Sequence, residues 1–232
     1  MHRIMIGIAL VAGTASLVCA DLAVAQMMPG GQGGMNRQSM GAPGGDTPSA
    51  PVADKPEAAS RKAYAAGLKS LAKAQSYETA AASAPNADKK ASALEKMGDA
   101  YNRALDQFTE ALSNKGDLYD AWNNVGYIHL RLGAYAEAVD DYNHTLALKP
   151  DLEEAIEHRG EAYLGVDRLD EAKAAYMDLY NHVRPLADQL MVAMQKWLAD
   201  HRNNANGMRA SDVAAFDQWL RERDGIAKQT SS

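Results

Sequence analysis

The chain has 232 residues, 47% of them apolar, and a formal net charge of −6. That length suffices for one elongated helical domain, and an acidic balance without a basic cluster argues against nucleic acid and against adhesion to an anionic membrane surface. The one cysteine, Cys19, lies in the leading segment, so the remainder can hold neither a disulfide nor a thiol nucleophile.

Residues 1–25 read as a secretion signal. His2 and Arg3 give a short basic start, Ile4 to Val18 is mostly apolar, and Ala23-Val24-Ala25 is a small-residue cleavage site before Gln26. The apolar stretch is short for a membrane-spanning helix. Val18 fills poorly the place where a lipoprotein signal needs a small residue before its cysteine. The expectation is a protein cleaved after Ala25, periplasmic or secreted, with no stable membrane insertion. Cleavage leaves the net charge at −6, because Arg3 and Asp21 depart together.

Residues 26–56 are rich in Gly, Pro, Ser and Met, with little to bury, and read as a disordered arm. Met27, Met28, Met35 and Met40 carry soft thioethers of the kind that favour Cu(I). No Met-x-Met or His-Met cluster repeats, so a flexible tether is the first reading and copper handling in the cell envelope the alternative.

Residues 57–118 hold a first helical hairpin. Leu94, Met97, Tyr101, Leu105, Phe108 and Leu112 recur at helical spacing and form its second helix. Its first helix is expected around Tyr64, Gly67 and Leu71. From Gly67 to Ala104 is 37 residues, whereas Gly126 to Ala138 is only 12, which leaves an apparent insertion of about 25 residues from Ser76 to roughly Met97. Pro85 and Asn86 should break it, and Ala87 to Lys96 should extend the following helix.

Residues 119–152 and 153–183 continue with a fixed period. Ala104, Ala138 and Ala172 stand 34 residues apart, as do Phe108, Tyr142 and Tyr176. Gly126 and Gly160 keep that spacing, and so do Glu137 and Glu171. In the second unit Trp122, Val125, Gly126 and His129 are followed by Ala138, Tyr142 and Pro150. In the third, Ile156, Arg159, Gly160 and Tyr163 are followed by Ala172 and Tyr176. This pattern resembles the tetratricopeptide repeat. His129 and Arg159 depart from its Tyr and Leu, and Asp167 stands where Gly133 closes the previous unit. The resemblance implies an all-α, right-handed solenoid of about three helical hairpins. Gly126 and Ala138 are expected to face each other where two helices approach closely. Pro150 marks a helix end, because proline disfavours helical geometry in the residue before it.

Residues 184–226 lose the frame. Leu186, Leu190, Met194, Trp197 and Leu198 make one apolar stripe, and Val213, Phe216, Trp219 and Leu220 a second. Ser211 is a candidate N-cap beside Asp212. These two helices are expected to cap the stack, the alternative being exposed stripes that pair with a partner. Residues 227–232 read as a disordered tail.

No Gly-rich phosphate loop, H-E-x-x-H pair or nucleophile elbow is present. His129, His144, His158, His182 and His201 are scattered, and Asp140-Asp141 and Glu153-Glu154 read as solvated faces or helix starts. The sequence therefore points to no catalytic residue, metal or cofactor. In tetratricopeptide arrays the first helix of each hairpin lines a concave groove. Counted from Tyr119, the groove positions are Asp120, Asn123, Tyr127, Leu130 and Arg131, then Glu154, Glu157, Glu161, Leu164 and Gly165. Glu154, Glu157 and Glu161 share one helical face, which reads as a solvated acidic face, the alternative being a groove with affinity for a basic or amide-rich segment. Some family members clamp the acidic C-terminus of chaperones with Lys, Arg and Asn. Only Asn123 matches in kind, so that role is not carried over. The resulting expectation is an exported, non-enzymatic scaffold for cell-envelope assembly. Asp120, Asn123, Tyr127, Arg131, Glu154, Glu157 and Glu161 would hold its protein or peptide partner.

Overall fold

The computed structural model describes residues 55–202 and 208–230. The expected signal segment and most of the arm lie outside them. Eight α-helices make up the described residues, with no strand among them: α1 Lys55–Ala82, α2 Ala87–Asn114, α3 Tyr119–Leu132, α4 Tyr135–Leu148, α5 Glu153–Gly165, α6 Leu169–His182, α7 Arg184–His201 and α8 Ala210–Thr230. The architecture is the all-α stack of helical hairpins expected from the repeats. None of these helices is long and apolar enough to cross a membrane.

The punctuation of the chain has visible causes. Pro85 ends the first hairpin's turn, and the Asn86 side chain caps α2 by accepting from the Lys89 amide at 2.9 Å. Gly133 closes α3 in the left-handed region, φ 76°. Asp167 adopts the same conformation one unit later, φ 59°. α4 stops at Leu148, two residues before Pro150.

The first hairpin differs from the insertion expected there. α1 and α2 are each 28 residues long, twice the 14 of α3 and α4. The extra residues form no separate element. α1 runs unbroken through Ser76 to Ala82, and α2 starts at Ala87 as expected. Small buried residues along the contact, Ala74, Ala81, Ala93 and Ala100, let the two helices stay close over their whole length.

The 34-residue period becomes a column of buried side chains. Ala104, Ala138 and Ala172 are fully buried, and Phe108, Tyr142 and Tyr176 lie beside them at 0–1% exposure. Burying a ring of this size contributes about 2–3 kcal/mol. Each hairpin glycine admits a bulky neighbour. A Cβ at Gly67 would fall 2.6 Å from the Phe108 ring, and one at Gly160 would fall 2.6 Å from Leu190. At Gly126 the nearest side chains belong to Tyr142 and Asp141. A Cβ there would fall 3.0 Å from the Tyr142 ring and 3.2 Å from the Asp141 Cβ, because the larger side chain of the column reaches across the helix pair.

α7 and α8 continue the stack. Leu190, Met194, Trp197 and Leu198 are buried on α7, and Val213, Phe216 and Leu220 on α8. Trp197 meets Phe216 edge-on at 5.4 Å, and Trp219 meets Tyr176 edge-on at 5.4 Å. α8 begins at Ala210, so Ser211 lies inside its first turn and is not the N-cap. The Ser211 hydroxyl reaches the Asp212 carboxylate instead, at 3.4 Å.

The apolar interior divides in two. One cluster gathers Leu71, Tyr101, Phe108, Val125 and Ile128 from α1, α2 and α3. The other runs from Tyr142 on α4 to Phe216 on α8. Polar side chains occupy the seam between them.

Candidate functional site

The seam is built from one face of α3 and one face of α5. On α3, Asn123, Tyr127 and Arg131 are spaced four apart and so share a stripe. On α5, Glu157 and Glu161 do the same. The Tyr127 ring lies 5.7 Å from the His158 ring, and Tyr142 of α4 lies 5.9 Å from it on another side. Arg131 forms an ion pair with Glu78 of α1, which also accepts the Tyr101 hydroxyl at 3.3 Å. Five helices thus contribute to one polar cluster.

Its electrostatics differ from a solvated acidic stripe. Glu157 is only 3% exposed. Burial, then the neighbouring Glu161 charge and its hydrogen bond, push the Glu157 carboxyl up to about 9. Burial also raises Glu161, while Arg131 and the hydrogen bond from Glu157 pull it back down. Glu157 therefore holds a proton at neutral pH and donates it toward Glu161. Burial, then the Arg131 charge, lower His158 to about 4, so its ring is neutral. Its Nε2 stands 3.4 Å from Glu157 Oε2. The Tyr142 hydroxyl is held well above the ordinary phenol value by burial first, then by Glu161, Glu157 and Tyr127.

Of the seven candidate residues, the cluster unites Tyr127, Arg131, Glu157 and Glu161, with Asn123 one turn along. Asp120 and Glu154 stand apart and exposed. Asp120 sits at the start of α3, where its charge raises the Tyr64 hydroxyl after burial has done so. Two expectations are corrected here. The three glutamates do not form one solvated face, because α5 turns Glu157 into the seam. Asp141 is not solvated either. It is 7% exposed and its Oδ2 lies 2.6 Å from His129 Nδ1. Glu153 and Glu154 do sit in the first turn of α5, where a carboxylate favours the helix dipole.

The sequence did not single out Glu78, Tyr101, Tyr142 or His158 for this site. Glu78 lay in the stretch read as an insertion, and Tyr142 was assigned to packing alone. His144 stacks on Trp122 at 4.4 Å, and His201 stacks on Trp197 at 4.0 Å. Among the described residues no three His, Cys, Asp or Glu side chains gather as a metal site.

Three buried polar atoms of this region have no hydrogen-bond partner: Asn123 Oδ1, Tyr142 Oη and His158 Nδ1. Native interiors contain few such atoms, and each costs about 1–3 kcal/mol. Two hollows lie elsewhere. One of about 270 Å³ is lined by Leu198, Asp217 and Arg221, and one of about 250 Å³ by Ile156, Tyr163 and Ala175. In the first, Arg202 and Arg221 both pair with Asp217. Two further unpartnered atoms lie away from this cluster, Arg159 Nε at the second hollow and Arg223 Nε on α8.

Residues 119–152 match the family model of the tetratricopeptide repeat. No curated protein matches the chain. Tetratricopeptide repeats generally serve as protein-interaction scaffolds and bind protein partners.

Proposed function

We propose that this tetratricopeptide repeat protein is an exported, non-enzymatic scaffold for cell-envelope assembly. It binds an extended protein segment across α3 and α5. The observation that carries this reading is Tyr127. Its half-buried ring stands beside His158, and Asn123, one turn away, has an unpartnered side-chain oxygen. An aromatic anchor with an adjacent amide suits an extended peptide, because the ring supplies contact area and the amide can bond the peptide backbone. Export is supported by the basic start, the apolar stretch and Ala23-Val24-Ala25.

The test is an array of short extended peptides probed with the full chain after signal removal. A defined subset should bind, and Tyr127→Ala should weaken it at least tenfold while leaving thermal unfolding of the fold cooperative. Ala147→Ser, on the exposed side of α4, should bind as the wild type does. An array that binds nothing, or binds Tyr127→Ala unchanged, overturns the proposal. Expression with and without residues 1–25 tests export separately, since only the longer form should leave the cytoplasm.

A further inference from the structure

We propose, resting on the α3–α5 groove reading, that the face between Tyr127 and Glu161 receives an arginine side chain of the bound segment. Hydrogen-bond arithmetic leads there. Of the donors of the cluster, Arg131 and the Tyr101 hydroxyl both serve Glu78, and the Tyr142 hydroxyl has no partner. His158 Nδ1 has no partner, and placing the proton of the neutral ring on Nε2, 3.4 Å from Glu157, makes Nδ1 a lone-pair acceptor. Asn123 Oδ1 is a second unpartnered acceptor. The half-buried Glu161 carboxylate accepts from Glu157 and keeps lone pairs for a further donor. Acceptors without donors call for a ligand rich in N–H groups. A guanidinium offers five in one plane and can lie against an aromatic face such as Tyr127.

An independent observation concerns Tyr142. It is fully buried, its hydroxyl has no partner, and the charges acting on it most are those of Glu161 and Glu157. A hydroxyl within electrostatic reach of a carboxyl pair is redundant while Glu157 holds its proton. It acquires a role once the pair becomes doubly negative. An entering guanidinium supplies the charge that makes this possible. Glu157 gives its proton to solvent, both carboxylates face the cation, and Tyr142 donates to the second one. The groups facing this exchange are Glu78 on α1, Tyr101 on α2, Tyr127 and Arg131 on α3, and Tyr142 on α4. The His129–Asp141 pair lies one step further out. Glu78 cancels the charge of Arg131, so the incoming cation meets a site of net negative charge.

The probes are acetyl-Ala-Arg-Ala-amide and its citrulline counterpart, which keeps the shape and loses the charge. They are titrated into the chain labelled with ¹³C at the glutamate carboxyls. The arginine peptide should bind at least tenfold more tightly than the citrulline one at pH 7. Its affinity should rise about tenfold per pH unit between pH 6 and 8, the signature of one proton released. The Glu157 resonance should move to its ionised position on binding. Glu161→Gln should remove both the preference and the pH dependence. Tyr142→Phe, which deletes only an unpartnered hydroxyl, should fold as the wild type and weaken the arginine peptide several-fold. Equal binding of the two peptides overturns the inference, as does failure of both, or a Glu157 signal that stays put. Arrayed peptides that still require Tyr127 would, in any of those cases, leave the groove reading standing.

Discussion

His129 Nδ1 on α3 lies 2.6 Å from Asp141 Oδ2 on α4, joining the two helices of the central hairpin through a buried acid. The histidine stands where the repeat pattern has tyrosine. A Cβ at Gly126, one turn away, would fall 3.2 Å from the Asp141 Cβ, so the glycine leaves room for it. Departure and partner therefore form one local solution.

Removing the histidine should strand the acid. His129→Ala is expected to destabilise the protein by about 2–3 kcal/mol, the cost of an unpaired buried polar or charged group. The His129→Ala/Asp141→Ala double variant should be less destabilised than the sum of the two single changes. Urea unfolding of all four proteins measures the coupling. Strict additivity would show that the contact contributes nothing.

Stability should fall on the alkaline side. Glu157 is raised from 4.5 to about 9, so its contribution is complete at acid pH and is lost as pH rises through that interval. His158 is lowered from 6.5 to about 4, so its contribution is present above 6.5 and is lost as pH falls toward about 4. The two slopes oppose one another below about 6.5, and only the glutamate acts above it. From pH 6.5 to 8.5 the wild type should lose about 1–3 kcal/mol, at most about 1.4 per pH unit for one proton. Glu157→Gln should flatten that limb in urea titrations across pH. An unchanged slope in that variant would exclude Glu157 as its origin.

Alanine at two glycines should separate buried from yielding neighbours. At Gly67 the new Cβ meets Phe108, which is fully buried and has nowhere to move. Gly67→Ala should cost about 1–3 kcal/mol despite alanine's better helix propensity. At Gly165 the obstacle is the Tyr135 ring, and Tyr135 is 38% exposed. That ring can swing into solvent, so Gly165→Ala should be near neutral. Thermal unfolding of both variants decides it, and equal losses would mean that neighbour mobility does not set the cost.

Asp167 tests the loop equivalence directly. Its φ of 59° belongs to the left-handed region, where a residue with a Cβ carries a penalty of about 1–2 kcal/mol. Asp167→Gly should stabilise the protein by a fraction of that, and Asp167→Val should destabilise it by about 1 kcal/mol or more. A valine variant as stable as the wild type would contradict the assigned backbone.

The readable part of the sequence was the part governed by periodic sterics. Ala138 and Tyr142 recur because every hairpin needs a small residue and a ring at the same place, and both are buried as the spacing implied. Asp167 was matched to Gly133 by position alone, and the backbone angles agree. The seam was harder. A glutamate at a groove position reads the same whether it faces water or a neighbouring helix, so Glu157 was read as part of a solvated acidic face. Glu78 reaches Arg131 only because α1 continues past the length of its counterparts. Nothing local in the sequence announces a contact between residues 53 positions apart. Tyr142 shows a third limit: periodicity explained its ring and left its hydroxyl unexamined.

The central claim is that α3 and α5 form the binding face. A photoreactive copy of the tightest peptide from the array, crosslinked to the full chain and mapped by mass spectrometry, tests it most directly. Adducts should fall within residues 120–131 and 154–164, and Tyr127→Ala should abolish them. Adducts confined to α4 and α6, or to the hollow between α7 and α8, would contradict the account.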